Sequence, residues 1–326
     1  MKFQLTKMTL SYRRFLVENE PLILESGKSL QSLTLSILDS TGNVKSKDFN
    51  LTENEQLVVF DKTSHRMHSH DVDDKTWTPM QTIDQAIMEN LFSAVVMESY
   101  IYVICKKGSF YRLEYAKFNA KWEQMTNTNL RTACVVALDG FVYGIEYGNF
   151  SNIMERYDPS NNRWTRLTNK SLILACEYLV AADGKVFCIA GMNQQVRATN
   201  QVEIYDPVTS TWSMDNRSLN EARYGASATA TEEGIYVMGG YNVNSNTIDS
   251  VEFRSFVTKT WMMLKPMKNA RAQFSSCVID GKVFVIGGNG NPANIEEYDP
   301  ETKEWKIIET LQGKNINPLE TVAISI

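Results

Sequence analysis

The chain of 326 residues predicts an all-β fold built as a ring of six small sheets, and three observations carry that prediction. Six tryptophans, Trp77, Trp122, Trp164, Trp212, Trp261 and Trp305, recur at gaps of 45, 42, 48, 49 and 44 residues. The residues ahead of them also repeat. Tyr stands seven before Trp in four repeats (Tyr115, Tyr157, Tyr205, Tyr298), and Glu nine before it in four (Glu155, Glu203, Glu252, Glu296). Finally, Asp-Pro follows the Tyr at 158–159, 206–207 and 299–300, and further upstream a two-residue turn precedes a hydrophobic strand that ends in glycine.

The last full repeat shows how each piece works. Residues 272–278 alternate small and apolar side chains, as an innermost strand along a narrow axis requires. Asp280-Gly281 supplies the positive φ angles of a tight hairpin. A buried strand over 282–286 ends at Gly287-Gly288, where the backbone packs closely or turns sharply. A variable loop, 289–294, leads to a third strand around Glu296 and Tyr298; 299–302 is turn chemistry, and Trp305 lies in a fourth strand. Four antiparallel strands per unit, repeated radially, describe a six-bladed β-propeller.

Toward the N-terminus the pattern decays. The diglycine of Gly239-Gly240 and Gly287-Gly288 becomes Ala190-Gly191, then Glu146-Tyr147, Cys105-Lys106 and Asp61-Lys62. The first blade lacks an innermost strand of its own, and 320–326 resembles the missing phrase. That segment is expected to pair into the first blade, so that the C-terminal strand closes the ring and removes its open edges. The expected division is an N-terminal extension over 1–28, with a short helix near 12–16 ending before Pro21, and the propeller over 29–326. Runs at 33–38 and 44–51 around Ser40-Thr41-Gly42-Asn43 read as a hairpin. It either completes the first blade or lies against the ring, with a degraded seventh blade as the alternative.

Composition narrows the function classes. A net charge of −5 gives no reason to expect nucleic acid or an anionic membrane as partner. No run approaches the roughly 20 apolar residues of a membrane span, and residues 1–7 lack the apolar core of a secretory signal; the expected location is cytoplasmic. Five cysteines with no CxxC pair read as reduced, buried, small apolar residues. All three histidines fall in His65-Arg66-Met67-His68-Ser69-His70, a run with zinc-ligand spacing and Asp71, Asp73 and Asp74 nearby. Counting back from Trp77, however, His70 takes the Tyr position of the repeat and His68 the Glu position. The preferred reading is therefore ordinary strand residues, with metal binding as the alternative, and no cofactor is expected.

The diglycine, the Tyr-Asp-Pro and the spaced Trp together resemble the kelch repeat, over about 55–326. The resemblance implies that the aromatics pack between neighbouring blades. It also brings enzymes into view. A copper centre of galactose oxidase type, and the iron site of the plant kelch proteins of glucosinolate breakdown, need histidine downstream of His70, and there is none. A metal-free sugar-modifying enzyme of the kelch mutarotase type stays open as the alternative function.

The similarity to the propeller of kelch-like (BTB-BACK-kelch) adaptors implies a non-catalytic protein-binding propeller. Such a propeller recognises a peptide segment of a partner, either as a substrate adaptor of a cullin-based ubiquitin ligase or as an actin-associated protein. The loops between second and third strands, and those leading into the innermost strands, then form a polar bowl. The residues carried over to it are Arg223, Tyr224, Tyr241, Arg271, Phe274, Ser275, Asn289, Met192 and Arg131. Loop asparagines, Asn193, Asn200, Asn242, Asn244, Asn246, Asn291 and Asn294, either bond a peptide backbone or serve turns. The 54 residues ahead of the repeats are too few for BTB and BACK domains, so cullin or cytoskeletal association is expected only if a BTB partner or the missing domain is supplied.

Overall fold

The computed structural model describes residues 32–38, 44–50, 55–61, 65–72, 74–115, 117, 120–290, 293–311 and 322–326. The first two segments are strands β1 (Ser32–Leu38) and β2 (Val44–Asn50), paired antiparallel from Ser32↔Asn50 to Leu38↔Val44. They form a two-stranded sheet of their own, so the predicted hairpin exists but does not complete the first blade. The helix expected near 12–16 and the boundary at 29 lie outside the described residues.

Six four-stranded antiparallel sheets follow. Blade 1 contains β3 (Leu57–Asp61), β4 (Arg66–Asp71) and β5 (Thr76–Thr82). A short helix, α1 (Gln85–Asn90), capped by the Asp84 carboxylate, leads to blade 2. Blade 2 is β6 (Leu91–Met97), β7 (Tyr100–Cys105), β8 (Phe110–Glu114) and β9 (Glu123–Gln124). Blade 3 is β10 (Ala133–Leu138), β11 (Phe141–Glu146), β12 (Met154–Asp158) and β13 (Arg163–Arg166). Blade 4 is β14 (Tyr178–Ala182), β15 (Lys185–Met192), β16 (Ala198–Asp206) and β17 (Thr211–Met214). Blade 5 is β18 (Ser227–Ala230), β19 (Gly234–Met238), β20 (Val251–Ser255) and β21 (Trp261–Leu264). Blade 6 is β22 (Ser275–Ile279), β23 (Lys282–Ile286), β24 (Asn294–Asp299) and β25 (Glu304–Thr310).

The fourth strand of blade 1 is β26 (Val322–Ser325), which pairs with β3 from Val322↔Phe60 to Ser325↔Leu57. Gln56 and Ile326 extend the pairing with reciprocal backbone bonds of 3.1 Å. The ring is thus closed by the C-terminal strand, as the sequence predicts. The six inner strands neighbour one another in the order β26, β6, β10, β14, β18, β22 and back to β26.

The hydrophobic core is divided among the six seams between blades. Leu57 and Val59 face blade 6 with Phe284 and Ile286, while Val58 and Phe60 face blade 2 with Ile101 and Val103. Because successive side chains alternate sides, a strand sandwiched between two blades is buried on both faces, and β3 is buried throughout.

Strand register explains the repeat. Tyr157↔Trp164, Tyr205↔Trp212 and Tyr298↔Trp305 are cross-strand partners with ring centroids 5.1–5.3 Å apart. His70↔Trp77 takes the same place in blade 1, and His68 lies opposite Pro79, so both histidines are strand residues at repeat positions. In blade 5 Arg254 stands opposite Trp261 and pairs with Asp215 at 2.7 Å. Blade 2 departs from expectation: its outer ladder ends at Arg112↔Glu123, and Tyr115 lies beyond it in the turn, not opposite Trp122.

The repeat Glu tethers the loop that enters its own blade from the blade before. Glu155 accepts from Asn129, Glu203 from Ser171 and Leu172, Glu252 from Asn220 and Glu221, and Glu296 from Lys268, all through backbone N–H. The diglycine serves the next seam. Gly240, at φ +99°, donates to the Arg271 carbonyl at 2.8 Å, and a Cβ on Gly239 would stand 2.4 Å from that same oxygen. Blade 2 has no diglycine, but Gly108 at φ +84° does equivalent work, because a Cβ there would meet the Thr128 carbonyl at 2.4 Å.

Candidate functional site

The inner strands all begin at one face of the ring, and there the channel mouth widens into a cavity of about 300 Å³. Every blade contributes to its wall: Val322 from blade 1, Phe92 and Lys106 from blade 2, Cys134 and Tyr147 from blade 3, Tyr178 from blade 4, Ala226 from blade 5, and Gln273 to Ser275 from blade 6. Phe92 and Tyr147 stack obliquely with centroids 5.2 Å apart. The wall is part aromatic and part amide, thiol and hydroxyl. Burial raises the Tyr147 and Tyr178 hydroxyls above the ordinary tyrosine range and the Cys134 thiol to about 11.

A run of backbone bonds fixes this rim. Cys176 N–H donates to the Tyr147 carbonyl at 2.7 Å, Gly225 to the Cys176 carbonyl at 3.2 Å, and Gln273 to the Gly225 carbonyl at 2.8 Å. The three donors hold φ between +52° and +61°, although two of them are not glycine. Such conformations cost on the order of 1 kcal/mol or more and persist where the surroundings impose them. The mouth is therefore preorganised across blades 3 to 6.

The predicted bowl residues divide into two groups. Arg223 and Arg271 are 0% exposed and do not reach the cavity. Arg223 donates to the carbonyls of Gly239 (2.9 Å) and Ser250 (3.1 Å) and to Glu252 (2.9 Å); Arg271 donates to the Gly287 carbonyl (3.1 Å), Asn294 (2.7 Å) and Glu296. Sequence reasoning placed these arginines as contact groups; the structure makes them buried ties that neutralise the repeat glutamates. Phe274 is also largely buried, packed in the seam between blades 5 and 6, with one edge on the cavity. Residues 272–274 precede β22 instead of belonging to it, because Gln273 turns the chain at φ +52°.

Of the remaining residues Ser275 lines the cavity, and the others stand on the loops and strand ends around it. Tyr224 and Tyr241 are partly exposed and stack at 5.1 Å; Asn289 donates to the Tyr241 hydroxyl (2.9 Å) and to Gln273 Oε1 (2.7 Å), which links blades 5 and 6. Met192 is partly exposed and bridged to Ala175, and Arg131 is exposed. The loop asparagines serve turns and ties: Asn193 and Asn242 accept backbone bonds within their own loops, Asn200 donates to the Leu219 carbonyl, and Asn294 accepts from Arg271. Asn291 lies outside the described residues.

Sequence reasoning missed Phe92, Lys106, Tyr147, Tyr178 and Gln273, as well as the Lys170–Glu177 ion pair that replaces an arginine in blade 4, with both side chains buried. Burial raises the Glu177 carboxyl to about 7, against the pull of Lys170. The signal for Tyr178 and Gln273 is their distance past the preceding repeat tryptophan, which equals that of Ser275 and of Tyr224 respectively. The opposite mouth, where the hairpins of the inner strands turn, is lined by Glu55, Asp183, Glu232 and Asp280.

A ring of six kelch-repeat blades with a walled mouth at one end defines the class: the protein is a kelch β-propeller. The model of the Attractin/LZTR1 β-propeller matches residues 106–297, more than half of the chain, and the chain belongs to that family. Among relatives, Kelch-like protein 36 of Mus musculus is 25% identical over 218 residues, covering 60% of this chain and 35% of its own length. Beta-scruin of Limulus polyphemus is 27% identical over 165 residues, covering 46% of this chain and 18% of its own. The match thus spans about a third or less of the length of these curated relatives. The solved structure of YjhT superposes with a TM-score of 0.59 at 15% identity, covering 67% of this chain and 83% of that one, a likeness of fold alone. Among the described residues no helix is long and apolar enough to cross a membrane.

Proposed function

We propose that this chain is a non-catalytic protein-binding propeller that takes a peptide segment of its partner at the mouth where the inner strands begin. The observation that carries the proposal is the cavity itself: about 300 Å³, walled by all six blades, preorganised by the rim of backbone bonds, and mixing aromatic with amide groups. That combination suits an extended chain with one inserted side chain. The thiol and hydroxyls lining it are pushed away from neutrality, which argues against their use as acid or base near pH 7. Within this reading, the kelch-like resemblance favours a substrate of a cullin-based ubiquitin ligase or a cytoskeletal protein as the partner. The cullin-binding element would come from another chain or from a further segment of this one, and the compartment would be the cytoplasm.

The test is quantitative affinity capture with the protein and a Lys106→Ala/Tyr241→Ala/Gln273→Ala variant, beside a control changed at the opposite mouth (Asp183→Ala/Glu232→Ala). The first variant should lose the captured partner and the control should keep it. An unchanged partner set on the first variant refutes this face as the binding site. Accelerated exchange between the anomers of a sugar, followed by NMR, would refute the non-catalytic reading.

A further inference from the structure

We infer that the segment bound at this mouth is acidic, carrying aspartate or glutamate beside an apolar side chain; this rests on the peptide-binding reading above. Three exposed cations, Lys106, Lys107 and Arg131, stand together where blade 2 meets blade 3. Their backbones are joined directly, since Lys107 N–H donates to the Arg131 carbonyl at 2.6 Å. Among the described residues none of the three side chains has a carboxylate partner. The neighbouring carboxylates are already committed. Glu146 is buried and accepts from Arg131 N–H (2.8 Å), Thr132 N–H (3.2 Å), the Thr132 hydroxyl (3.2 Å) and Asn149 (3.1 Å). Glu155 is likewise buried, accepting from Thr128 and Asn129. The hydrogen bonds of these carboxylates are filled but their charges remain, so three exposed cations against two buried carboxylates leave the surface here positive, with the cations facing an incoming group.

These positive charges run against the balance of the whole chain, which is −5, and against the opposite mouth, which is lined by four carboxylates. An acidic segment is drawn to one end of the channel and repelled by the other. Lys106 is also part of the cavity wall that holds Phe92 and Tyr147. A carboxylate on Lys106 thus sits next to space for one apolar side chain. Further round the same face the loops expose Phe150, Ile173, Val196 and Val243, which gives an extended chain apolar surface after it leaves the cations.

The test is a random-peptide display selection against the full chain and against its Lys106→Glu/Arg131→Glu variant. Both substitutions are at exposed side chains, and an unchanged melting temperature verifies the fold. The expected result is enrichment of Asp and Glu next to Leu, Phe or Tyr on the wild type and its loss on the variant. A synthetic peptide of the winning sequence should bind the variant at least about tenfold more weakly. Its affinity for the wild type should fall as NaCl rises from about 0.05 M to about 0.5 M. Enrichment of neutral or basic peptides, or of acidic peptides equally on both proteins, overturns the inference while leaving peptide binding intact. Binding of single-stranded RNA as tight as that of the peptide overturns it in favour of a general polyanion site. No enrichment on the wild type overturns the peptide-binding reading as well.

Discussion

Removing residues 322–326 should abolish the monomeric fold, although it deletes only the last short strand. β26 supplies the inner edge of blade 1 through four register pairs and the Gln56–Ile326 bonds, and its neighbours Leu57 to Phe60 are fully buried. Losing the burial of Ile324 costs about 1.5–3 kcal/mol. Each β3 backbone group left unpaired costs about 1–3 kcal/mol. Ile324 and only two such groups already amount to about 4–9 kcal/mol, against a total stability of about 5–15 kcal/mol. If water enters to satisfy those groups, it wets Leu57 to Phe60 and the loss is carried by hydrophobic exposure instead. The uncovered edge also invites pairing with other chains. Size-exclusion chromatography with light scattering, combined with a thermal melt, measures both effects; the expected outcome is aggregate or a melting point far below that of the intact chain. Ile324→Ala provides a graded companion at about 2–4 kcal/mol. A soluble, monomeric truncation that melts with the wild type would refute the closure argument.

Four further outcomes follow from the geometry. Arg271→Met should destabilise by about 3–5 kcal/mol in a denaturant melt, because it leaves Glu296 buried without its cation, whereas exposed Arg131→Ala should stay within about 0.5 kcal/mol. Trp305→Ala, which empties a buried site and releases the Lys265 carbonyl, should cost about 3–5 kcal/mol. Gly240→Ala should cost more than Gly281→Ala: both have positive φ, but a Cβ at 240 stands 2.8 Å from the Tyr224 carbonyl and one at 281 meets nothing within 4 Å. For Glu177 burial outweighs the pull of Lys170 and sets the sign: the folded carboxyl is raised to about 7, so Lys170 donates to a neutral acid below that pH and forms an ion pair above it, whereas the unfolded chain ionises near 4.5. Its contribution to stability is therefore present below pH 4.5 and is lost as pH rises toward 7. Glu177→Gln should flatten that part of the melting-temperature profile.

The blade count, the strand order and the closing strand were legible because each rests on a periodic signal. Tyr at −7 from Trp is simply its cross-strand partner in a hairpin ladder of four residue pairs. The same periodicity misled where a residue matched by position but not by register: Tyr115 counts seven back from Trp122, yet the wider turn of blade 2 takes it out of the ladder. Arg223 and Arg271 show a second limit. Their place in the repeat points to the mouth, but the direction of the side chain depends on a buried Glu 25 to 29 residues away whose charge has to be met. Nothing local in the sequence distinguishes a guanidinium that faces solvent from one that turns inward to a carboxylate. Tyr147 was hidden for another reason: it fills a diglycine position, and a missing motif draws attention to what was lost and not to what replaced it.

Closure by the last strand also sets the order of events while the chain is made. β3 is complete near residue 61, but its partner β26 begins at 322. At a synthesis rate of about 5–20 residues per second, β3 waits on the order of 13–50 s without the strand that covers it. Blades 2 to 6 can form in sequence as they leave the ribosome, each laying its inner strand against the one before. Blade 1 cannot, and it is the one whose β3 is buried on both faces. A chaperone that shields an apolar edge early, or a stalled or shortened transcript, therefore acts on this protein at its first blade.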